Sequence, residues 1–117
     1  MIILMLLILV TIISIIILIF LVRSLRKPIP KIIWTYWNSD DVLPDFIERC
    51  IQTWRDKNPD YEIIVLNDSK LSDYLSSDEV RKIKGWKYND CVQKHSDLVR
   101  LFILSKYGGI WLDASIV

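Results

Sequence analysis

The stretch SDLVRLFILSKYGGIWLDAS, residues 96–115, decides how the chain is read. Ser96 can cap a helix, and the run behind it predicts one to about Lys106. Leu98, Val99, Leu101, Phe102, Ile103 and Leu104 cover almost every direction around that helix, so it is expected to be buried. Asp97 and Arg100 stand three apart and share a face. A buried charge is tolerated only when paired or bound to something polar. The helix therefore opens with a polar notch on an apolar rod, which taken alone an internal ion pair would satisfy. Gly108 ends the helix and Gly109 allows a left-handed turn. Ile110-Trp111-Leu112 then enters a short strand with Asp113 at its carboxyl end. Ligands of open α/β sheets bind outside the carboxyl ends of strands. An acidic residue there can hold a hard cation, which in turn binds phosphate oxygens. Without the rest of the pattern, Asp113 reads equally well as a turn or cap residue.

Upstream, Lys31-Ile32-Ile33-Trp34-Thr35-Tyr36-Trp37 is β-branched and aromatic, which predicts a strand. Asn38-Ser39-Asp40-Asp41 is a turn cluster, and Pro44 suits the first turn of a helix. Phe46, Ile47, Cys50, Ile51 and Trp54 recur at helical spacing until Pro59 stops them. Tyr61–Leu66 predicts a second strand, whose continuous apolar run suggests cover on both faces. Asn67-Asp68-Ser69 closes it, and short helices are expected at 69–75 and 78–84. Strand, helix, strand at this spacing is a βαβ unit with a right-handed crossover. The fold class is α/β with a mostly parallel sheet.

Residues 2–22 hold no charge, Gly or Pro, and only Thr11 and Ser14 are polar. At about 1.5 Å per residue this is roughly 30 Å of helix, the thickness of a bilayer core. A cleaved signal peptide would have a basic stretch before a shorter apolar core, then a small-residue site. A buried core helix would need a larger domain to wrap it. Residues 2–22 therefore read as a single transmembrane anchor, residues 23–30 as a basic, proline-containing linker, and residues 31–117 as the soluble domain. Arg23, Arg26, Lys27 and Lys31 lie on the carboxyl side, which puts the soluble part in the cytosol. A Golgi-type lumenal placement is the alternative.

All 15 basic and 14 acidic residues lie beyond the apolar segment. That balance argues against a nucleic-acid surface. The 2 cysteines, Cys50 and Cys91, make neither a disulfide framework nor a zinc knuckle with the 1 histidine, His95. His95 reads as a helix-start residue, and Lys82, Lys84, Lys87 and Lys94 as a solvated face. The tryptophans other than Trp34 read as core and rim aromatics. The chain stops at Val117 just after an apolar run, as expected of a domain cut short.

The order Ser-Asp-x-x-Arg, apolar helix, Tyr-Gly-Gly-Ile, aromatic, apolar, Asp resembles the sugar-binding segment of glycosyltransferases with an aspartate-any-aspartate motif. Among these are the mannosyl- and galactosyltransferase-like family and the capsular polysaccharide synthesis family. Ile29-Pro30-Lys31-Ile32-Ile33-Trp34 resembles their opening strand. Trp54 with Asn58-Pro59-Asp60-Tyr61 resembles the next helix and strand. The likeness covers roughly residues 29–117. It implies the N-terminal half of a GT-A-like nucleotide-sugar-binding domain behind one transmembrane helix. Trp34 would lie against the nucleotide base. Asp97 and Arg100 would contact the donor's ribose and sugar. Asp113 would be the first aspartate of the metal motif, binding Mn²⁺ or Mg²⁺ near the diphosphate. Ser115 stands where the second aspartate usually falls. It is a weaker ligand than a carboxylate, and the Asp-Ala-Ser ending is closest to the capsular branch.

The resemblance implies a membrane-anchored enzyme taking a nucleotide-sugar donor and a glycan or lipid-linked acceptor, with no nucleic-acid partner. The alternatives are a non-catalytic remnant that keeps the anchor and donor-binding half, and a membrane-tethered binding protein.

Overall fold

A computed structural model describes residues 1–86 and 91–116. Lys87, expected on a solvated face, lies outside the described residues. The element order is α1 (Ile2–Leu25), β1 (Ile32–Tyr36), α2 (Asp45–Lys57), β2 (Glu62–Leu66), α3 (Leu71–Tyr74), α4 (Ser77–Lys84), α5 (Val92–Tyr107) and β3 (Ile110–Trp111). This is an α/β architecture with one small parallel sheet.

α1 is long and apolar enough to cross a membrane, and none of it is buried. Its two hydroxyls are satisfied within the helix. Thr11 donates to the Ile8 carbonyl at 2.7 Å and Ser14 to the Val10 carbonyl at 2.9 Å. A helix in hydrocarbon requires such internal satisfaction. The helix runs past residue 22 and takes Arg23 into its last turn, so part of the expected linker is helical. Arg26 turns extended, and Pro28 and Pro30 cannot resume the helix.

The three strands lie in the order β2-β1-β3, all parallel. Trp34 of β1 sits opposite Ile64 of β2 and Trp111 of β3. Alternation along β1 splits the core into two clusters, because successive side chains point to opposite faces. Trp34 and Tyr36 pack with Leu66, Leu71, Leu75, Ile83, Val99 and Ile103, which puts α3, α4 and α5 on one face. Ile33 packs with Ile47, Ile51, Trp54 and Ala114, which puts α2 on the other. β2 is an edge strand, and Ile63, Ile64 and Val65 are only half-buried. Its apolar run is thus less covered than its sequence suggests.

Two helix boundaries differ from expectation. Pro44 is the residue before α2 rather than its first turn. α5 begins at Val92 with Cys91 as its cap residue, so Ser96 lies inside the helix. The buried side of α5 is a single stripe, His95, Val99 and Ile103, at i, i+4 and i+8. Leu101 is 64% exposed, so the rod is not wrapped all round as its composition suggests.

Between α5 and β3 the chain reverses through Gly108 (φ 69°) and Gly109 (φ 93°). A Cβ on Gly109 would stand 2.7 Å from the Ile32 carbonyl oxygen and 3.0 Å from Trp34 Nε1. The turn thus needs glycine twice over, for its backbone conformation and for the close approach to β1. Gly109→Ala is expected to cost roughly 1–3 kcal/mol in stability. A drop in melting temperature of roughly 5 °C or more for the full chain in detergent would show it; an unchanged melt would contradict the tight turn.

Candidate functional site

At the carboxyl ends of β1 and β3 lies a cleft of about 690 Å³. One wall comes from the exit of β1: Tyr36, Trp37 and Asn38. Another is the side of α5, through Val92, Gln93, Ser96, Asp97 and Arg100. The floor is Asp113, Ala114 and Ser115, just past β3. The structure therefore brings Asp97, Arg100, Asp113 and Ser115 to one cavity.

Each is placed by a local cause. Val92, Ser96 and Arg100 follow one another at i, i+4 and i+8, one residue on from the buried stripe. They face about 100° away from it, toward the strand ends. Arg100 Nη2 meets Asp97 Oδ1 at 2.8 Å, with side chains 43% and 60% exposed. The pair is therefore solvated, and the expected burial of this polar notch is corrected: the apolar residues around it line one stripe rather than enclosing it. An exposed pair of this kind is worth only about 0–1 kcal/mol, which leaves both groups free to exchange it for a ligand.

The Asp113 loop is pinned at both ends. The Leu112 amide donates to the Trp34 carbonyl at 3.0 Å, extending the β1–β3 ladder by one step. The Trp54 indole donates to the Ile116 carbonyl at 2.8 Å, and the Ile116 amide donates to the Asp113 carbonyl at 3.0 Å. Ala114 is buried between these ties, in the cluster under α2. Asp113 and Ser115, on either side of it, are exposed.

Trp34 does not line the cleft. It is 1% exposed, donates to the Gly108 carbonyl at 2.9 Å, and packs between Tyr74 and Tyr107 at centroid distances of 5.3 and 5.5 Å. It lies in mid-strand rather than at the strand's end, so its ring joins the core. Trp37, three residues later, is the tryptophan on the cleft wall.

Among the described residues no group of three or more His, Cys, Asp or Glu could hold a metal ion. Asp113 and Ser115 offer one carboxylate and one hydroxyl. Mg²⁺ is often held by one or two carboxylates with substrate phosphates completing its shell. The donor set fits an ion only in that shared form.

Sequence reasoning passed over a second polar convergence beside the cleft. Asp68, just past β2, accepts from the Tyr36 hydroxyl at 2.8 Å and lies 2.8 Å from His95 Nε2. His95 is 6% exposed and its ring lies 5.5 Å from that of Tyr36. Burial opposes ionisation of Asp68, but the bonds from Tyr36 and His95 outweigh it and hold its pKa below the usual carboxylate value. Burial, then the bond to Asp68, pushes the Tyr36 phenol well above its usual range. The signal was available: the strand-end rule applied to Asp113 points equally to Trp37-Asn38 after β1 and to Asp68 after β2.

Residues 15–117 match the family model described as capsular polysaccharide synthesis protein. The chain is 32% identical over 94 residues to inositol phosphoceramide mannosyltransferase 3 of Schizosaccharomyces pombe, covering 75% of this chain and 24% of that one. It is 33% identical over 97 residues to an initiation-specific alpha-1,6-mannosyltransferase of Candida albicans, covering 78% and 25%. A mannosyl phosphorylinositol ceramide synthase of Saccharomyces cerevisiae is 28% identical over 88 residues, covering 73% and 22%. The chain thus spans about a quarter of the length of these curated relatives. No solved structure matches it significantly.

The depressed pKa of Asp68 has a definite sign. Its ionised form stabilises the fold above the ordinary carboxylate pKa of about 3.9, and that contribution is lost as pH falls through the lower folded value. Asp68→Asn is expected to be less stable than the parent at pH 7, with the gap closing below about pH 4. Melting curves from pH 7 to pH 3 check this, and a gap independent of pH would contradict it.

Proposed function

The chain belongs to the capsular polysaccharide synthesis protein family, and on that premise we propose that residues 31–117 form the donor-binding half of a GT-A-like, membrane-anchored glycosyltransferase. Its donor would be a nucleotide sugar and its acceptor a glycan or a lipid-linked glycan. One observation carries the reading. A guanidinium and a carboxylate from α5 and a carboxylate from the β3 exit line a single cleft at the carboxyl ends of a parallel sheet. The relatives' names, mannosyltransferases of glycan and sphingolipid synthesis, support the same class.

The chemistry of transfer breaks the bond between the anomeric carbon and the diphosphate and forms one to an acceptor oxygen. Charge develops on the departing diphosphate, and fixed positive groups aimed at it lower the barrier. Among the described residues, Arg100 is the cationic side chain that lines the cleft. Asp97, which shares its face, would accept hydroxyl protons from ribose or sugar. Holding the donor in one geometry removes part of the entropic cost of reaction. Trp37, on the cleft wall, takes the stacking role that the sequence suggested for Trp34. Asp113, with Ser115, would hold a divalent ion together with the diphosphate oxygens. Such an ion, when bound, neutralises charge on the leaving group. No residue is assigned as the base that takes the acceptor's proton.

For the anchor, α1 would span the bilayer once. The basic residues at its carboxyl end support a cytosolic soluble domain under the positive-inside rule.

The donor reading is tested by titrating the full chain, in lipid nanodiscs, with UDP- and GDP-sugars with and without Mn²⁺. At least one donor is expected to bind, and Arg100→Ala to weaken it. Asp113→Asn is expected to reduce the Mn²⁺-dependent affinity at least about tenfold, since even residues that merely support a metal ligand are worth 10–100-fold. No binding of any donor by folded chain would sink the reading; equal binding by Asp113→Asn would remove the metal role. Topology is checked by protease protection on sealed vesicles. Digestion of the soluble domain from the cytosolic side is expected, and protection inside the lumen would reverse the orientation.

A further inference from the structure

The contacts between α5 and the sheet are of two kinds. Val99 and Ile103 are fully buried and apolar. The hydrophobic effect behind such contacts is non-directional. His95 is the third member of that stripe and the one polar member. Its Nε2 meets Asp68 Oδ1 at 2.8 Å, a directional contact. Among the described residues, Cys91 stands at the cap position of α5 and makes no side-chain cap bond. This amino end carries Asp97 and leads to Arg100.

Asp68 is itself held in place. Its amide donates to Asn38 Oδ1 at 3.2 Å, and the Tyr36 hydroxyl donates to its carboxylate at 2.8 Å. The neighbouring Asn67 side-chain Nδ2 donates to the Ser39 carbonyl at 3.0 Å. The exits of β1 and β2 are thus tied into one unit, and α5 is attached to that unit through His95. The cleft-facing stripe Val92, Ser96, Arg100 is one residue on from the stripe that carries His95, so a bond that restrains rotation at His95 also restrains where the cleft stripe points; at the far end of α5 the Tyr107 hydroxyl donates to the Tyr74 carbonyl at 2.5 Å. A negative carboxylate beside the first turn of α5 also suits the positive end of the helix dipole.

We infer that Asp68 and His95 are positioning residues: their bond locks the rotation of the amino end of α5, and so aims Asp97 and Arg100 into the cleft. The consequence for donor affinity rests on the donor reading proposed above; the lock itself does not.

The experiment is amide hydrogen exchange on the full chain in nanodiscs, comparing peptides over residues 92–102 with α2 as an internal control. Asp68→Ala and His95→Ala are each expected to speed exchange over 92–102 roughly tenfold and leave α2 unchanged. The double variant should be no faster than either single one, because the pair acts as a unit. Asp68→Asn keeps an acceptor oxygen and should restore much of the protection. UDP- and GDP-sugar titration of the same variants should show affinity falling by a similar factor, and adding Arg100→Ala to Asp68→Ala should cost less than the product of the two. Loosened α5 with no donor bound by the parent would leave the lock standing and remove the donor reading. Unchanged exchange over 92–102, an equal loosening of α2, or no recovery in Asp68→Asn would overturn the lock.

Discussion

The pairing of β3 with β1 is the constraint on which the cleft depends. β3 is only two residues long, and its ladder is extended by one bond, from the Leu112 amide to the Trp34 carbonyl. That short contact is reached because Gly108 and Gly109 turn the chain through conformations other residues avoid, and because the Trp34 indole bonds the Gly108 carbonyl. One strand position thus does two things: its backbone seats β3, and its ring anchors the turn before it. Asp113 then emerges beside α5, and a carboxylate and an ion pair 13 to 16 residues apart in sequence share one cavity.

β1 carries most of the organisation. It is the central strand, and its alternation sends Trp34 and Tyr36 under α3, α4 and α5 and Ile33 under α2. At its exit, Trp37 and Asn38 become cleft wall, and Asn38 bonds the Asp68 amide. The cleft and the polar convergence beside it are therefore assembled from three strand exits and one helix, as expected of a parallel α/β sheet whose strands all end on the same edge.

Much of this was legible because it rests on local patterns. The strand at 31–37, the helix that carries Phe46 to Trp54, the strand ending at Leu66 and the Gly-Gly stop each follow from periodicity or from a residue with restricted geometry. What was not legible depends on partners distant in sequence. Ser96 suggests a helix start because Ser caps helices, but α5 begins at Val92 and His95, inside it, is buried against Asp68. Leu101 and its neighbours implied a wrapped helix, yet a three-stranded sheet covers only one stripe of it. Trp34 and Trp37 are both strand aromatics, and only the strand's actual end separates core ring from cleft ring. Asp68 looked like a closing turn because its partners, Tyr36 and His95, are 32 and 27 residues away.

The central claim is that the cleft binds an activated sugar through its nucleotide diphosphate. Heteronuclear NMR of the chain in micelles, titrated with UDP and GDP, reads this position by position. The account expects shifts at the Trp37 indole and at the amides of Asp97, Arg100 and Asp113, with the Trp34 indole, committed to Gly108, unmoved. Shifts confined to residues outside the cleft, or none at saturating nucleotide, would contradict it.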